Sequence, residues 1–169
     1  MKPFIDIRYN IFSDHEINNL LHWFSQNSKN QEVYDGNNTT FLDIKGVDQE
    51  HMTKKYEPYI GDNLIDWCQM VKWPENSYQK NHIERASEKT TIASITFLND
   101  NFDGGETYFN EGTIIRPCKN KTIFFSGLLI VHGVKKVLNG ERFTIATWYK
   151  IKLKYLWNHL AEQNYNTIF

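Results

Sequence analysis

His82-Ile83-Glu84 sets an imidazole and a carboxylate two residues apart in a run that reads as a β-strand. Residues i and i+2 of a strand project from the same face, so both groups enter one space. His132, which closes a later β-rich run, offers a second imidazole. Two histidines and one carboxylate on one face of an octahedral metal leave three adjacent positions open, and that arrangement suits Fe(II). The bare pattern is not specific. H-x-acid steps arise by chance, and a histidine on a strand is more often packed or surface-exposed than a ligand. A non-catalytic β-sandwich binding module, with these residues structural or zinc-bound, therefore stands as the alternative.

Arg142 follows His132 in the run Gly140-Glu141-Arg142-Phe143-Thr144-Ile145-Ala146-Thr147-Trp148. Strand alternation puts Arg142, Thr144, Ala146 and Trp148 on one face. An arginine facing a β core needs an anion, because an uncompensated buried charge is very costly. Its planar fork fits a carboxylate bidentately. A structural Asp or Glu would satisfy it, and so would the carboxylate of a bound molecule.

Several ordered motifs join these residues: Trp73-Pro74-Glu75-Asn76-Ser77-Tyr78 leading into His82, Ile95-Thr96-Phe97-Leu98-Asn99-Asp100, Gly104-Gly105-Glu106-Thr107, His132-Gly133-Val134-Lys135, then Gly140-Glu141-Arg142 and Trp148. Together, over roughly residues 71–149, they resemble the prolyl 4-hydroxylase-like Fe(II)/2-oxoglutarate-dependent dioxygenases. The resemblance implies that His82, Glu84 and His132 bind iron. It implies that Arg142 binds the C5 carboxylate of 2-oxoglutarate, with Thr144 as a hydroxyl donor to it and Trp148 walling the pocket. Ile95 and Val134 would line the same pocket or fill the core. Fe(II), 2-oxoglutarate and O2 are the implied cofactor and cosubstrates, with ascorbate as a candidate accessory. The implied reaction hydroxylates a C–H bond of a peptide, such as a prolyl residue, or of a small molecule, and releases succinate and CO2. Glu84 as a direct ligand argues against a halogenase, whose iron needs that position vacant.

Three positions depart from the family pattern. Glu84 stands where Asp is commoner and is one methylene longer. Phe97 stands where a tyrosine is frequent, without its hydroxyl. Asn120, in Pro117-Cys118-Lys119-Asn120, replaces a common turn glycine, and asparagine tolerates the left-handed conformation. Gly104-Gly105 has a mostly structural reading, as a turn with positive φ.

The elements that would position these groups form a mainly β protein, a double-stranded β-helix (jelly roll) with N-terminal helices and a C-terminal helix outside it. Expected strands run over Tyr78–Glu84, Thr90–Leu98, Glu106–Phe109, Thr113–Arg116, Lys121–Phe125, Leu128–His132 and Glu141–Lys150, separated by Gly- and Asn-rich turns. Phe4–Tyr9 alternates like a strand. Ser13 and Glu16 form a capping box, and Ile17, Leu20, Leu21 and Phe24 form the apolar stripe of a first helix. A second helix is expected near 56–71, from Ile60, Leu64, Trp67, Cys68 and Val71. Residues 26–50 read as a polar loop. With the loop around Asn99–Gly105, it is the natural place for substrate contacts, to which Tyr34, Phe41 and Tyr78 could add aromatic surface. A last helix near 153–163 carries Leu153, Leu156, Trp157 and Leu160. The reading is one domain over 1–169 with its β core at about 71–150.

Bulk properties narrow the class. A chain of 169 residues, 40% hydrophobic and 15% aromatic, can bury a core. A net charge of −1 argues against a nucleic-acid partner, which would favour a basic domain. No run approaches the roughly 20 apolar residues of a membrane span, and the start Met1-Lys2-Pro3-Phe4 opens no signal-peptide core. A cytoplasmic location is the expectation, with Cys68 and Cys118 as free thiols.

Overall fold

The computed structural model describes residues 3–34, 38–84, 87 and 89–152. Two antiparallel sheets make its core. The larger has seven strands in the order β1 (Ile5–Tyr9), β10 (Lys121–Ser126), β6 (Thr90–Phe97), β13 (Arg142–Ile151), β4 (Asn63–Trp73), β3 (Thr40–Asp43) and β2 (Glu32–Val33). The smaller has β5 (Gln79–His82), β11 (His132–Val134), β8 (Thr107–Phe109) and β9 (Ile114–Ile115). A two-stranded ribbon pairs β12 (Val137–Asn139) with β7 (Asp103–Gly104). Such facing sheets are the jelly-roll architecture.

Period-2 alternation divides the large sheet's two faces. One carries Met70, Ile92, Phe124, Ile145 and Tyr149, packed against Ile17 and Phe24 of α1 (Asp14–Gln26) and Met52, Tyr56 and Ile60 of α2 (Val47–Ile60). The other turns Ala93, Ile95, Phe97, Ile123 and Phe125 toward Phe109 and Ile115 of the small sheet. Beyond them lie Val71, Trp73, Val134 and Val137.

α1 starts where the sequence says. Ser13 Oγ accepts from the Glu16 backbone N–H, and Glu16 returns the bond to the Ser13 N–H at 2.7 Å. Glu16 also pins α2 through His51 Nε2 at 2.8 Å and Lys55 Nζ at 2.7 Å. Burial alone would raise the Glu16 carboxyl, but its bonds from Lys55, Ser13 and His51 bring it down to about 2. Asn120 adopts φ +62°, as its turn position predicts. Its side chain also grips Phe12, with Oδ1 accepting from the backbone N–H at 3.1 Å and Nδ2 donating to the carbonyl. A glycine there would supply the turn without that tie.

The second helix differs from expectation. α2 ends at Ile60 before Gly61, whose φ is +57°, and residues 63–73 form β4 rather than helix. β4 lies between β13 and β3 and is covered for much of its length, so its apolar run carries no clean period to separate strand from helix. Where a loop is expected over 26–50, the described residues hold a 3-10 turn, β2, β3 and the start of α2. β5 stops at His82, so Glu84 lies just past its strand, and His132 begins a strand rather than ending one. The helix expected near 153–163 lies outside the described residues. Among the described residues, no helix is long and apolar enough to cross a membrane.

Candidate metal and anion site

His82 and His132 face each other across the β5–β11 ladder as direct register partners. Their rings lie 4.3 Å apart between centroids. Glu84 arrives two residues after His82, its backbone N–H held by the Gly127 carbonyl at 3.0 Å. Glu84 Oε1 then sits 3.1 Å from His132 Nε2 and 3.4 Å from His82 Nε2. The ligand atoms of all three residues fall within 4.8 Å of one another. Neighbouring positions of an octahedron with bonds of about 2.1 Å are about 3 Å apart, so the donor set fits one face of such an ion.

The remaining atoms of the cluster are also fixed. His82 Nδ1 lies 2.9 Å from the Lys80 carbonyl, which directs Nε2 into the cluster. Glu84 Oε2 accepts from the Trp148 indole N–H at 2.6 Å. Burial works to raise the Glu84 carboxyl, but the imidazoles of His132 and His82 override it and hold it down at about 2. Burial works to lower His82, yet its bond to Glu84 leaves it above its ordinary value. The cluster is therefore a deprotonated carboxylate between two imidazoles.

The same cavity, about 290 Å³, runs from this cluster to Arg142 and Thr144, with Val71, Trp73, Ile95 and Val134 among its walls. Arg142 is 1% exposed. Its Nη2 donates to Thr107 Oγ1 at 3.3 Å, while Nε and Nη1 have no partner among the described residues. Its guanidinium lies 5.0 Å from the Trp73 ring centre and 5.1 Å from that of Phe97. Desolvation pushes the Arg142 pKa down to about 9. Gly105 leaves space for its stem, since an added Cβ would come 3.1 Å from Arg142 Cδ. Thr144 Oγ1 accepts from the Trp73 indole at 3.2 Å, which leaves its hydroxyl hydrogen to give to an anion. A buried cation with two orphan donors fits a carboxylate that the described residues do not supply.

Of the six residues singled out in the sequence, Glu84, His132, Arg142, Thr144 and Trp148 line this cavity, and His82 joins them through its contact with Glu84. Tyr34 and Phe41 also line it, with centroids 4.6 Å apart. Gln69 and Trp67 line it as well, whereas the helix expected near 56–71 gives Gln69 no role and puts Trp67 in its apolar stripe. Gln69, on the cavity face of β4, donates through Nε2 to the Tyr34 hydroxyl. Trp67, 42% exposed, is held by Asp43 at 2.7 Å. Gln69 and Trp67 alternate with buried Cys68 and Met70, a period-2 signal hidden by the apolar run.

Residues 68–150 match the sequence profile of the 2OG-Fe(II) oxygenase superfamily. Mouse prolyl 3-hydroxylase 2 is 35% identical over 66 residues, which are 35% of this chain and 9% of that protein. The chain thus spans less than a tenth of the curated relatives it matches. A Pseudomonas putida prolyl-4-hydroxylase superposes with a TM-score of 0.72 at 12% identity, covering 88% of this chain and 92% of that one. A prolyl hydroxylase from Trichoplax adhaerens, solved with a hypoxia inducible factor peptide fragment, gives 0.68 at 16%, covering 87% and 83%. These likenesses support the jelly-roll fold, and residues 68–150 belong to the 2OG-Fe(II) oxygenase superfamily.

Proposed function

We infer that this protein is a 2-oxoglutarate-dependent hydroxylase acting on a peptide substrate, with a prolyl residue as the leading candidate. One observation carries the reading: a two-histidine, one-carboxylate cluster and a buried guanidinium whose Nε and Nη1 have no partner among the described residues open on one cavity. In this proposal His82, Glu84 and His132 hold Fe(II) and leave three adjacent positions open. When bound, the iron couples oxidative decarboxylation of 2-oxoglutarate by O2, giving succinate and CO2, to hydroxylation of a substrate C–H bond. Arg142 takes the distal carboxylate of 2-oxoglutarate on Nε and Nη1, and Thr144 adds a hydroxyl donor. Trp73, Phe97, Val71 and Ile95 keep water from that ion pair, which strengthens it. Phe97 gives an aromatic face to the guanidinium where a tyrosine would give a hydroxyl. Tyr34, Phe41 and Trp67 offer flat apolar surface for a substrate ring. Burial and the Glu84 charge hold the Tyr34 phenol well above its ordinary pKa, so it stays neutral.

The test is anaerobic addition of Fe(II) and 2-oxoglutarate, followed by succinate release with proline-containing peptides and ascorbate present. A visible charge-transfer band, followed by peptide-stimulated succinate, is expected. An iron-loaded protein without the band would overturn the reading and favour the zinc-holding β-sandwich module.

A further inference from the structure

The geometry points to Trp148 as the positioning residue that makes Glu84 a one-oxygen ligand. This rests on the metal-binding reading of the cluster. Glu84 is one methylene longer than aspartate, so it has an extra torsion and can turn either oxygen, or both, toward the imidazoles. The structure removes that freedom. Oε1 points between His82 and His132, at 3.4 and 3.1 Å, whereas Oε2 turns away to the Trp148 indole N–H at 2.6 Å. A charge-assisted bond this short is among the stronger hydrogen bonds proteins make.

Trp148 is itself held. Its backbone pairs with Trp67 on one side and Ala93 on the other in the large sheet, and its ring lies 6.0 Å from that of Trp67. The Glu84 Cβ has room because residue 127 is glycine: an added Cβ there would stand 3.3 Å from it. The indole thus fixes the longer ligand from the opposite sheet. One oxygen is committed to the indole, one is left for the metal, and three coordination positions stay open.

The experiment compares Mn(II) affinity by calorimetry for wild type, Trp148→Phe, Glu84→Asp and the double variant, with metal-free melting temperatures alongside. Loss of a partner that orients a metal ligand typically lowers affinity 10- to 100-fold. That fall is expected for Trp148→Phe in the Glu84 background. In the Glu84→Asp background the shorter side chain draws the carboxylate away from the indole, so the same substitution should cost clearly less. Equal losses in both backgrounds, or no loss in either, would overturn the proposal. Wild type that binds no Mn(II) would instead sink the metal-site reading beneath it. If Trp148→Phe does not fold, the indole N–H resonance of wild type decides: a downfield, exchange-protected proton that Glu84→Ala returns to the free-indole position supports the bond, and a free-indole shift in wild type refutes it.

Discussion

Replacing Arg142 with methionine should leave the ligand-free protein at least as stable while abolishing its response to 2-oxoglutarate. Burial drives the guanidinium from 12.5 to about 9. At about 1.4 kcal/mol per tenfold change, that is a penalty on the order of 5 kcal/mol for keeping the charge. Because the folded-state value is the lower one, the penalty is present in full below pH 9. The Trp73 and Phe97 faces return about 1–2 kcal/mol each, and the long bond to Thr107 on the order of 1 kcal/mol. The balance leaves the cation unfavourable by roughly 0–2 kcal/mol until an anion arrives. Methionine fills much of the same slot without charge, so the melting temperature should hold or rise, by up to roughly 8 °C at about 2–4 °C per kcal/mol. Wild type should gain about 2.7 kcal/mol of stability at 2-oxoglutarate a hundredfold above its Kd, and the variant nothing. Differential scanning fluorimetry with and without 2-oxoglutarate and Mn(II) measures both. A variant that melts several degrees lower, or that keeps the cosubstrate shift, would refute the argument that Arg142 stands as an anion receptor rather than a structural ion.

Two further outcomes follow. Gly133→Ala should destabilise the fold by about 1–3 kcal/mol through overpacking and weaken Mn(II) binding, since the new Cβ would crowd Tyr108 and lie 2.7 Å from the Gln79 carbonyl of β5; unchanged melting and titration would refute it. The Glu16 carboxyl, held at about 2 against an ordinary 4.5, contributes stability that is complete above pH 4.5 and is lost as pH falls toward 2. Urea midpoints of wild type should decline through that window, and Glu16→Gln should flatten the decline; parallel profiles would show the α1–α2 clasp contributes nothing.

The parts legible in the sequence were those with local chemistry or a sharp period. The Ser13–Glu16 box fixes the α1 start by itself, and Arg142-x-Thr144-x-x-x-Trp148 alternates cleanly because β13 has Ile145, Thr147 and Tyr149 on its helix side and the cavity on the other. β4 was misread because Leu64, Cys68 and Val71 also satisfy helical spacing, and only tertiary placement beside β13 and β3 decides. A helical reading there gives Gln69 and Trp67 no place at the cavity. The bond from Trp148 to Glu84 was illegible for a different reason: it spans 64 positions and joins opposite sheets. The need for an anion was readable from Arg142; that Nε and Nη1 find no partner among the described residues is a property of the packed interior.

The placement of β13 and β5 gives the two walls of the cavity different lifetimes. β13 is paired on both sides from Thr144 to Lys150 and Arg142 is paired to Trp73 of β4, so this wall leaves its place at a free energy near that of global unfolding. β5 has four residues, sits at the end of the small sheet and shifts register against β11 between His82 and Gln79. Such an edge opens by local fraying at much lower free energy. Amide exchange should therefore be slow at Thr144 and Ala146 and fast at His82 and Lys80. With His82, Glu84 and His132 as the proposed metal ligands, metal entry and loss would proceed through that hinge-like jaw while Arg142 and Thr144 stay in place, and a protein stripped of metal would be recharged without refolding.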